Sequence, residues 1–372
     1  MKILVISNNY PSLRSPSDGA FVYNLVQQFV NLGHTLSIIS VEGYSFSRKP
    51  KELYSTYGKE LGQVFRPKFL STSAKKIFNF NTFIIGEWGQ VKAIERTVIK
   101  HKIEFDVVYA HFLDNAFIAV RALSKYGKPI YVAVGESNLE ARELRYTKKY
   151  LRKSIAAIDG FIPNSPILKD KLIAYGAKKD KIIVRPNGVD LKRFTKRDKI
   201  EMRRRHNLPL DKKLVIFVGR FINQKGPLRV LKATSKMSDI GLIFIGSGVQ
   251  KFESDKIVFK GKVPSEIVPE LLSAADIFVL PTLKEGNCNA IVEAMACGLP
   301  IVSSKIPEVE VQCDPSFSIL VDPMKVNEIA KAIDLVLNDD EKAQTMSKNS
   351  IKIAKKLDIT ERAKSILEFI NP

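Results

Sequence analysis

The 372-residue sequence has few of the residues that build disulfide frameworks or metal centres. It contains three cysteines and four histidines, and none stand at the spacings of zinc ligands. Cys288, Cys297 and Cys313 all lie in the second half of the chain and are odd in number. Reduced thiols in a cytoplasmic protein are therefore the simplest expectation, and metal binding is not expected.

Long hydrophobic runs are also missing. No stretch of about eighteen apolar residues occurs, so no membrane-spanning helix is predicted. The apolar run at residues 3–6 reaches Asn8 and Asn9 almost at once, which is typical of a first strand and not of a signal peptide. With 45% hydrophobic residues, the chain is longer than one core usually serves, and two domains are expected.

The sequence has few acidic residues relative to basic ones. It contains 59 Lys and Arg and 39 Asp and Glu, which gives a net charge of +20. No nucleic-acid-binding module is recognisable, so the inner, anionic face of a membrane is the favoured partner. In residues 65–83 basic side chains alternate with aromatic ones. A second segment carries basic residues at helical spacing: Arg142, Arg145, Lys148, Lys149, Arg152 and Lys153. A packed loop and a solvated helix face are the alternatives.

A strand followed by a helix is the repeating pattern of both halves, and it predicts an α/β protein with parallel sheets and right-handed crossovers. A linker is expected at 185–199, and the tail at 341–372 is expected to be helical. In the first half, strands are predicted near 3–7, 35–41, 106–110, 130–134, 160–163 and 181–184, with helices near 19–32, 83–100, 114–125, 139–157 and 165–175. In the second half, strands are predicted near 214–219, 241–246, 257–260, 276–281 and 300–303, with helices starting at Pro227, Ser265, Asn289 and Val326.

Two glutamates eight positions apart, Glu285 and Glu293, follow the predicted strand at 276–281. Asn289 is predicted to cap the helix that follows, which ends at Gly298. Carboxylates accept hydroxyl hydrogen bonds, and open α/β sheets bind ligands at the carboxyl ends of their strands. The pair therefore suits a polyhydroxylated ligand. A surface glutamate and a glutamate near the positive end of a helix dipole are the alternative.

An upstream segment places two cations at a predicted helix start. Gly219, Arg220, Lys225 and Gly226 follow an apolar run, and Pro227 is well placed to open a helix. Such a helix start suits a diphosphate, although two solvated surface cations would look the same. The sequence has no Asp-x-Asp pair, which favours protein cations over a metal ion as the neutralising charge.

Together these motifs resemble a known family, the retaining glycosyltransferases of the large bacterial family four, with the GT-B fold. The resemblance is dense from about residue 181 to 335 and weaker before it, where residues 18–19 and 106–111 carry it. The motifs are Gly219-Arg220, Lys225-Gly226, Glu285 to Glu293, residues 185–190 (RPNGVD) and residues 261–264 (GKVP).

The resemblance implies two Rossmann-like domains that face a central cleft. Residues 1–186 would bind the acceptor, with a C-terminal helix at about 355–372 packing back on them, and residues 187–354 would bind the donor. The implied activity is that of a hexosyltransferase. It moves a sugar with retention from a UDP- or GDP-sugar, a co-substrate, to a lipid-linked or growing surface glycan such as capsule or O-antigen. Neither metal nor cofactor is implied, and the expected location is cytoplasmic, peripheral on the inner membrane face.

The family also implies roles for residues. Glu293 would bind the ribose hydroxyls, and Arg220 and Lys225 would stabilise the departing diphosphate. No second carboxylate stands out as a covalent nucleophile, so same-face attack is favoured, with the leaving phosphate accepting the proton of the acceptor. Donor sugar hydroxyls would be held by Glu285 and by the amides of Gly286, Asn287, Cys288 and Asn289. The further substrate-binding positions are Asn187, Gly219 and Val263.

In the first half, His111 matches a family histidine that contacts the donor sugar, and Gly19 would let backbone approach a phosphate or the acceptor. A structural histidine and a plain helix-start glycine are the alternatives. Val134 stands where many family members have a histidine, so Glu136 becomes a candidate acceptor contact. Three other functions stay open: transfer to a soluble sugar or sugar phosphate, a nucleotide-sugar epimerase of the same fold, and a catalytically silent sugar-nucleotide binding protein.

Overall fold

The computed structural model describes residues 1–12, 15, 18–44, 61–71, 76–77, 80–81, 83–136, 139–143 and 145–371. The chain forms two compact units. Unit 1 is Met1–Arg185 with Thr360–Pro372, and unit 2 is Pro186–Ile359. The division lies one residue before the one expected from the sequence.

Unit 1 is built on six strands, in the order β10-β9-β8-β1-β2-β4, with every neighbouring pair parallel. Helix α13 belongs to this unit from Thr360 onward, and its Phe369 ring packs edge-on against Tyr131 of β9 at 5.5 Å. The elements are β1 (Lys2–Ile6), α1 (Ala20–Asn31), β2 (Thr35–Ile39), β3 (Glu42–Tyr44), β4 (Gln63–Phe65), β5 (Lys68–Leu70), β6 (Lys76–Ile77), β7 (Phe80–Asn81), α2 (Phe83–Lys100), β8 (Val107–His111), α3 (Leu113–Leu123), β9 (Ile130–Val134), α4 (Lys148–Ala156), β10 (Gly160–Pro163), α5 (Pro166–Ala174) and α13 (Ile359–Ile370).

Unit 2 also has a six-stranded parallel sheet, in the order β13-β12-β11-β14-β15-β16. Its elements are α6 (Lys199–Arg205), β11 (Lys213–Val218), α7 (Pro227–Ala233), β12 (Ile240–Ile245), β13 (Ile257–Gly261), α8 (Val268–Ala274), β14 (Ile277–Leu280), α9 (Asn289–Ala296), β15 (Ile301–Ser304), α10 (Pro307–Glu310), β16 (Ser318–Val321), α11 (Val326–Leu337) and α12 (Asp340–Ala354).

Continuous apolar runs explain both sheets. Every residue of β8, β12 and β14 is buried, as expected for parallel strands covered by helices on both faces. The α/β class with two parallel sheets, predicted from the alternation of strands and helices, is confirmed. Of the helices in the described ranges, none is long and apolar enough to cross a membrane.

The helix expected at 139–157 is confirmed only in its second part, because the chain forms a short 3-10 helix at Glu140–Arg142 and α4 begins at Lys148. Arg142 is 7% exposed and pairs with Glu136 at 2.9 Å and Asp114 at 3.0 Å, so it does not share a solvated face with the lysines. Thr147 accepts a hydrogen bond from the Tyr150 N–H and starts α4 there.

The strand expected at 181–184 is wrong. Lys179–Lys181 is a 3-10 helix, and Ile182 makes an isolated bridge to Phe161 of β10. The N–H groups of Ile183 and Arg185 donate to the carbonyls of Phe161 and Pro163 at 3.0 and 2.9 Å, so the segment lies along β10 without forming a regular strand. The prediction also lacked α6, α10, β16 and the short strands β3 to β7, and it placed the start of α8 three residues early, at Ser265.

The basic and aromatic segment at 65–83 differs from the expected lipid-facing loop. The Arg66 side chain is 4% exposed and pairs with Glu42 at 3.2 Å. Phe65 and Phe69 pack against the apolar core of unit 1, whereas Leu70 is exposed. Residues 72–75, 78–79 and 82 lie outside the described residues, so the prediction is untested there.

Candidate functional site

The first loop of the candidate site connects β11 to α7. Gly219 ends the strand and donates its N–H to the Ile245 carbonyl at 3.0 Å. Arg220 is exposed, and the residues that the structure describes offer its guanidinium no hydrogen bond or ion pair. Gly226 has a φ of 82°, and a Cβ there would lie 2.5 Å from the Pro281 carbonyl oxygen, so only glycine fits. Pro227 opens α7, as predicted.

A buried arginine fastens this loop to the one that carries Glu285. Arg229 is 9% exposed and its guanidinium donates to the carbonyls of Pro281 at 2.7 Å and Asn223 at 2.8 Å. Gln224 adds a bond to the Lys284 carbonyl at 2.9 Å. The bonds to Pro281 and Lys284 each join residues more than fifty positions apart, and the bond to Asn223 closes the first loop on itself. The two loops are therefore fixed to each other.

Lys225 and Glu285, on these two loops, meet directly. Lys225 Nζ lies 2.5 Å from Glu285 Oε1, and the two side chains are 18% and 7% exposed. A buried carboxylate needs such a partner, because an unpaired buried charge is strongly unfavourable. The structure therefore places the predicted sugar-binding carboxylate in contact with one of the two predicted diphosphate cations.

Two amide side chains, those of Asn187 and Gln312, bond to the loop that follows Glu285. Asn187 donates its N–H to Asn287 Oδ1 at 3.2 Å, and its Nδ2 donates to the Asn287 carbonyl at 3.1 Å and to Asn289 Oδ1 at 2.7 Å. Gln312 accepts from the Cys288 N–H at 2.9 Å and donates to the Cys288 carbonyl at 2.8 Å. The loop is thus clamped at three consecutive residues.

This clamp corrects two expectations. Asn289 does not cap α9; it is the first helical residue, and its side chain accepts a hydrogen bond from Asn187. The Cys288 amide is occupied by Gln312, whereas the described residues offer no partner to the N–H groups of Gly286 and Asn287. Burial raises the pKa of the Cys288 thiol to about 12, which excludes a thiolate at neutral pH.

Glu293 lies in the second turn of α9, as predicted, and its partly buried carboxylate makes no hydrogen bond to the described residues. Burial raises the pKa of Glu293 to about 7, and the positive charge of Arg193 opposes this rise. Val263 is partly buried against the core of unit 2, which leaves its expected substrate contact as a prediction.

In unit 1, His111 ends β8 and is 5% exposed, with its ring against Phe21 and Phe112 at 5.2 and 4.7 Å. Its Nδ1 has no partner among the described residues. Burial, with a smaller effect of Arg362, lowers the pKa of His111 to about 3. The imidazole is therefore neutral, and its predicted role would be that of a neutral hydrogen-bonding group.

Gly19 and Glu136 both have structural explanations. Gly19 precedes α1 with a φ of 72°, and a Cβ there would lie 2.1 Å from the Asn9 carbonyl oxygen. Glu136 accepts from the N–H groups of Leu113 at 2.6 Å and Gly135 at 2.9 Å, besides its ion pair with Arg142. Both carboxylate oxygens of Glu136 are thus engaged at the start of α3. The ligand contacts expected of Gly19 and Glu136 stay predictions.

Two family models match the chain. The model described as Glycosyltransferase Family 4 matches residues 19–193, and the one described as Glycosyl transferases group 1 matches residues 198–353. The chain belongs to the family 4 glycosyltransferases.

Relatives with assigned names cover most of this glycosyltransferase. It is 26% identical to TuaC of Bacillus subtilis over 90% of this chain and 88% of TuaC. TuaC is named as a candidate glycosyltransferase of teichuronic acid biosynthesis. The chain is 27% identical to the amylovoran biosynthesis glycosyltransferase AmsK of Erwinia amylovora, over 83% and 84%. A D-inositol 3-phosphate glycosyltransferase of Paenarthrobacter aurescens is 25% identical over 66% and 67%.

Solved structures establish the fold of the glycosyltransferase. Sucrose-phosphate synthase from Thermosynechococcus elongatus superposes with a TM-score of 0.79 at 19% identity, covering 99% of this chain and 98% of that one. Anabaena HepE in complex with UDP and glucose gives 0.73 at 17% identity, with the same coverage. The predicted GT-B fold is confirmed.

Gln312, like Arg229, is a site residue that the sequence did not reveal, because a lone glutamine after α10 belongs to no local pattern. We expect Gln312→Ala to raise the KM for the donor sugar nucleotide several-fold with a smaller effect on kcat, since the loop loses two hydrogen bonds worth about 1 kcal/mol each. Kinetics with varied donor measure this. Gln344→Ala, on α12, is the matched control, and an unchanged donor KM in Gln312→Ala would contradict the clamp.

The raised pKa of Glu293 predicts pH-dependent nucleotide binding. An ionised carboxylate accepts hydroxyl hydrogen bonds better than a protonated one, so UDP affinity should rise as the pH passes through about 7. The folded state holds this proton more tightly than the unfolded chain, so folding stability falls as pH rises from the ordinary glutamate pKa to 7. Glu293→Gln should remove the pH dependence of UDP affinity, measured by calorimetry, and raise the melting temperature at alkaline pH. If UDP affinity changes equally with pH in the wild type and the variant, the role of Glu293 is refuted.

Proposed function

We propose that this glycosyltransferase moves a sugar from a nucleotide-diphosphate sugar to a lipid-linked or growing cell-surface glycan, with retention and without a metal ion. The observation that carries the proposal is the assembly of Arg220, Lys225 and Glu285 on two mutually fastened loops of unit 2. The loops place an unpaired cation, a paired cation and a carboxylate beside the carboxyl ends of β11 and β14, where parallel sheets bind ligands.

The chemistry of the donor suits this arrangement. Cleavage of the sugar–phosphate bond develops negative charge on the diphosphate and positive charge on the sugar. Among the described residues, Arg220 has no partner that would compete with a diphosphate, and Lys225 can add a second cation while it orients Glu285. Glu285 and the N–H groups of Gly286 and Asn287 then hold the sugar, and Glu293 takes the ribose. The complexes of HepE with UDP and UDP-glucose support a UDP-sugar, with a GDP-sugar as the alternative.

Retention fits the carboxylates of this site. Glu285 is bound to Lys225, and Glu293 lies inside α9, so neither is placed as a free nucleophile. We therefore favour attack on the face that the diphosphate leaves, with the leaving phosphate accepting the acceptor proton. Among the described residues, no three His, Cys, Asp or Glu side chains cluster closely enough to hold a metal ion, and metal independence stays part of the proposal.

The names of TuaC and AmsK support a surface glycan as the acceptor. Transfer to a soluble sugar phosphate is the second candidate, and the relatives named D-inositol 3-phosphate glycosyltransferase support it. The two candidates therefore differ in whether the acceptor is a surface glycan or a soluble sugar phosphate.

Donor turnover tests the proposal. UDP-glucose, UDP-galactose, UDP-N-acetylglucosamine and GDP-mannose are incubated with the enzyme, with and without a membrane lipid extract or inositol phosphate, in excess EDTA. We expect release of nucleotide diphosphate that requires an acceptor and survives chelation. Sugar epimerisation without acceptor would favour the epimerase, and activity restored only by added magnesium or manganese would refute metal independence.

We also propose that the enzyme works in the cytoplasm at the inner membrane face. Helix α4 supports this, because Lys148, Lys149, Arg152 and Lys153 are exposed while Leu151 and Ile155 on the other face are buried. Each basic residue near an anionic surface contributes about 1 kcal/mol. Sedimentation with phosphatidylglycerol vesicles, lost in ~0.5 M salt where screening is short-ranged, supports the proposal; equal sedimentation with neutral vesicles contradicts it.

A further inference from the structure

Exposed apolar side chains lie together where α2 begins. Ile85 and Trp88 are 43% and 55% exposed, and residues three positions apart share one face of a helix. Leu70 and Tyr44 are also exposed, and they are paired at the ends of β5 and β3. These four residues form the apolar patch. Exposed patches of this kind commonly mark a surface that binds a partner.

Helix α2 contacts the paired strands β3 and β5 beside Trp88, so the apolar patch is one surface. A Cβ on Gly89, which follows Trp88, would lie 3.4 Å from Phe69 Cβ and 3.9 Å from the Leu70 carbonyl oxygen, which are ordinary contact distances. Phe69 packs against the apolar core of unit 1. The apolar patch therefore lies on a well-packed part of unit 1.

A buried hydrogen bond joins the start of α2 to the start of α4. Glu87, next to Trp88, is 3% exposed and accepts a hydrogen bond from the Tyr146 hydroxyl. Tyr146 lies two residues before α4, whose first residues, Lys148 and Lys149, are exposed. The bond therefore places exposed lysines beside the apolar patch.

Basic residues outnumber acidic ones around the apolar patch. The elements next to it, α2, α3, α4, β3 and β5, contain nine basic and four acidic residues. The exposed cations of α4 make no ion pair with the described residues, and Lys92 Nζ lies 6.0 Å from the centre of the Trp88 ring. All four acidic side chains pair with cations: Glu42 with Arg66 at 3.2 Å, Glu87 with Arg121 at 3.3 Å, Glu95 with Lys92 at 2.7 Å and Asp114 with Arg142 at 3.0 Å.

An anionic bilayer fits both properties of this surface. Tryptophan and tyrosine favour the boundary between headgroups and acyl chains, because their rings are apolar but carry one polar group. Basic side chains beside such an anchor bind anionic headgroups, and the two contributions act together. A second copy of this chain fits less well, because it would bring the same positive charge against the patch.

We propose that the apolar patch inserts into the interface of an anionic bilayer, with Trp88 as its central anchor, while Lys148 and Lys149 contact the lipid headgroups. The inference rests on the proposed location at the inner membrane face. It adds the segment that enters the lipid, which is the start of α2 and not α4. The start of α2 thus determines which side of unit 1 faces the membrane.

Tryptophan fluorescence tests insertion directly, because the sequence contains one tryptophan. The full chain is mixed with vesicles that contain phosphatidylglycerol, or with vesicles of phosphatidylcholine alone. We expect the emission of Trp88 to shift to shorter wavelength with the anionic vesicles and to be quenched by lipids brominated on their acyl chains. Phosphatidylcholine alone should leave the emission unchanged. Unchanged emission of a protein that sediments with the anionic vesicles would overturn insertion.

Two identical substitutions on α2 locate the inserted end. Ile85→Ala shortens a residue of the apolar patch, whereas Ile99→Ala, the matched control, shortens an isoleucine that is 63% exposed and about 20 Å further along the helix. In vesicle sedimentation we expect Trp88→Ala to weaken binding about tenfold, Ile85→Ala several-fold and Ile99→Ala not at all. Equal losses in Ile85→Ala and Ile99→Ala would contradict the placement.

Stability and activity separate insertion from other roles of Trp88. The Trp88→Ala protein should melt at the wild-type temperature and keep its turnover on a water-soluble acceptor. A lower melting temperature with wild-type vesicle binding would make Trp88 a structural residue. An emission shift that follows protein concentration without lipid would make the patch an interface between copies of this chain. A wild type that binds no anionic vesicles would overturn the membrane location itself, whereas absence of sugar transfer by the wild type would overturn only the transferase function.

Discussion

Replacement of Glu285 by glutamine is expected to lower sugar transfer by ~100-fold or more, while the affinity for free UDP changes little. Glutamine keeps the size of the side chain but removes the charge that pairs with Lys225 and that, in the proposed function, accepts sugar hydroxyls. A preorganised charged group that acts in the transition state is worth about 3 kcal/mol or more. The nucleotide itself would be held by Arg220 and Glu293, which the substitution does not touch.

The measurement compares kcat for transfer with UDP affinity from calorimetry. Glu328→Gln is the matched control, because Glu328 on α11 also pairs with a lysine, Lys325 at 3.0 Å, but its side chain is 43% exposed. That variant should keep wild-type activity. A Glu285→Gln protein with its melting temperature and its transfer rate both near wild type would remove Glu285 from the site.

Local patterns predicted most of both sheets. Apolar runs such as 214–218 and 277–280 lie in β11 and β14. A parallel strand that is buried on both faces needs consecutive apolar residues, and such a run is visible in the sequence. Pro227 and Gly298 marked a helix start and a helix end for equally local reasons, since one fixes φ and the other adopts a positive φ of 77°. The strand and helix assignments succeeded where neighbours in sequence decide the backbone.

The failures share a different cause. Arg142 looked like one of a row of surface cations, yet its burial depends on Asp114 and Glu136. Asn289 has the right chemistry for a helix cap, but Asn187, about a hundred residues earlier, bonds its side chain. In both cases a contact between residues distant in sequence overrides a local preference. The spacing of residues in the sequence does not indicate that contact.

The candidate site shows the same limit. The spacing of Glu285 and Glu293 and the Gly219 to Pro227 segment could be recognised in the sequence, because each is a short segment made of one loop and the start of the helix that follows it. Three contacts arise only when the chain folds: Lys225 pairs with Glu285, Arg229 joins the two loops, and Gln312 bonds to the Cys288 backbone. They decide how rigidly the predicted residues are held.

The second large effect is expected at Arg220. Arg220→Ala should lower kcat/KM for the donor by ~100-fold, since it removes the cation that we propose for the leaving diphosphate. Arg220→Lys should recover only part of the loss, because an ammonium lacks the planar, two-pronged donor geometry. Both variants should melt at the wild-type temperature, because Arg220 is exposed and has no partner in the described residues.

Two other arginines make this expectation specific. Arg204→Ala, at an exposed position of α6, should change neither activity nor stability. Arg229→Ala should lower both, because its guanidinium joins the two loops through Pro281 and Asn223 and several buried bonds are lost together. An active Arg220→Ala enzyme would assign charge stabilisation to Lys225 alone, whereas loss of activity with a lowered melting temperature would make Arg220 a structural residue like Arg229. Only inactivity at unchanged stability supports direct action on the diphosphate.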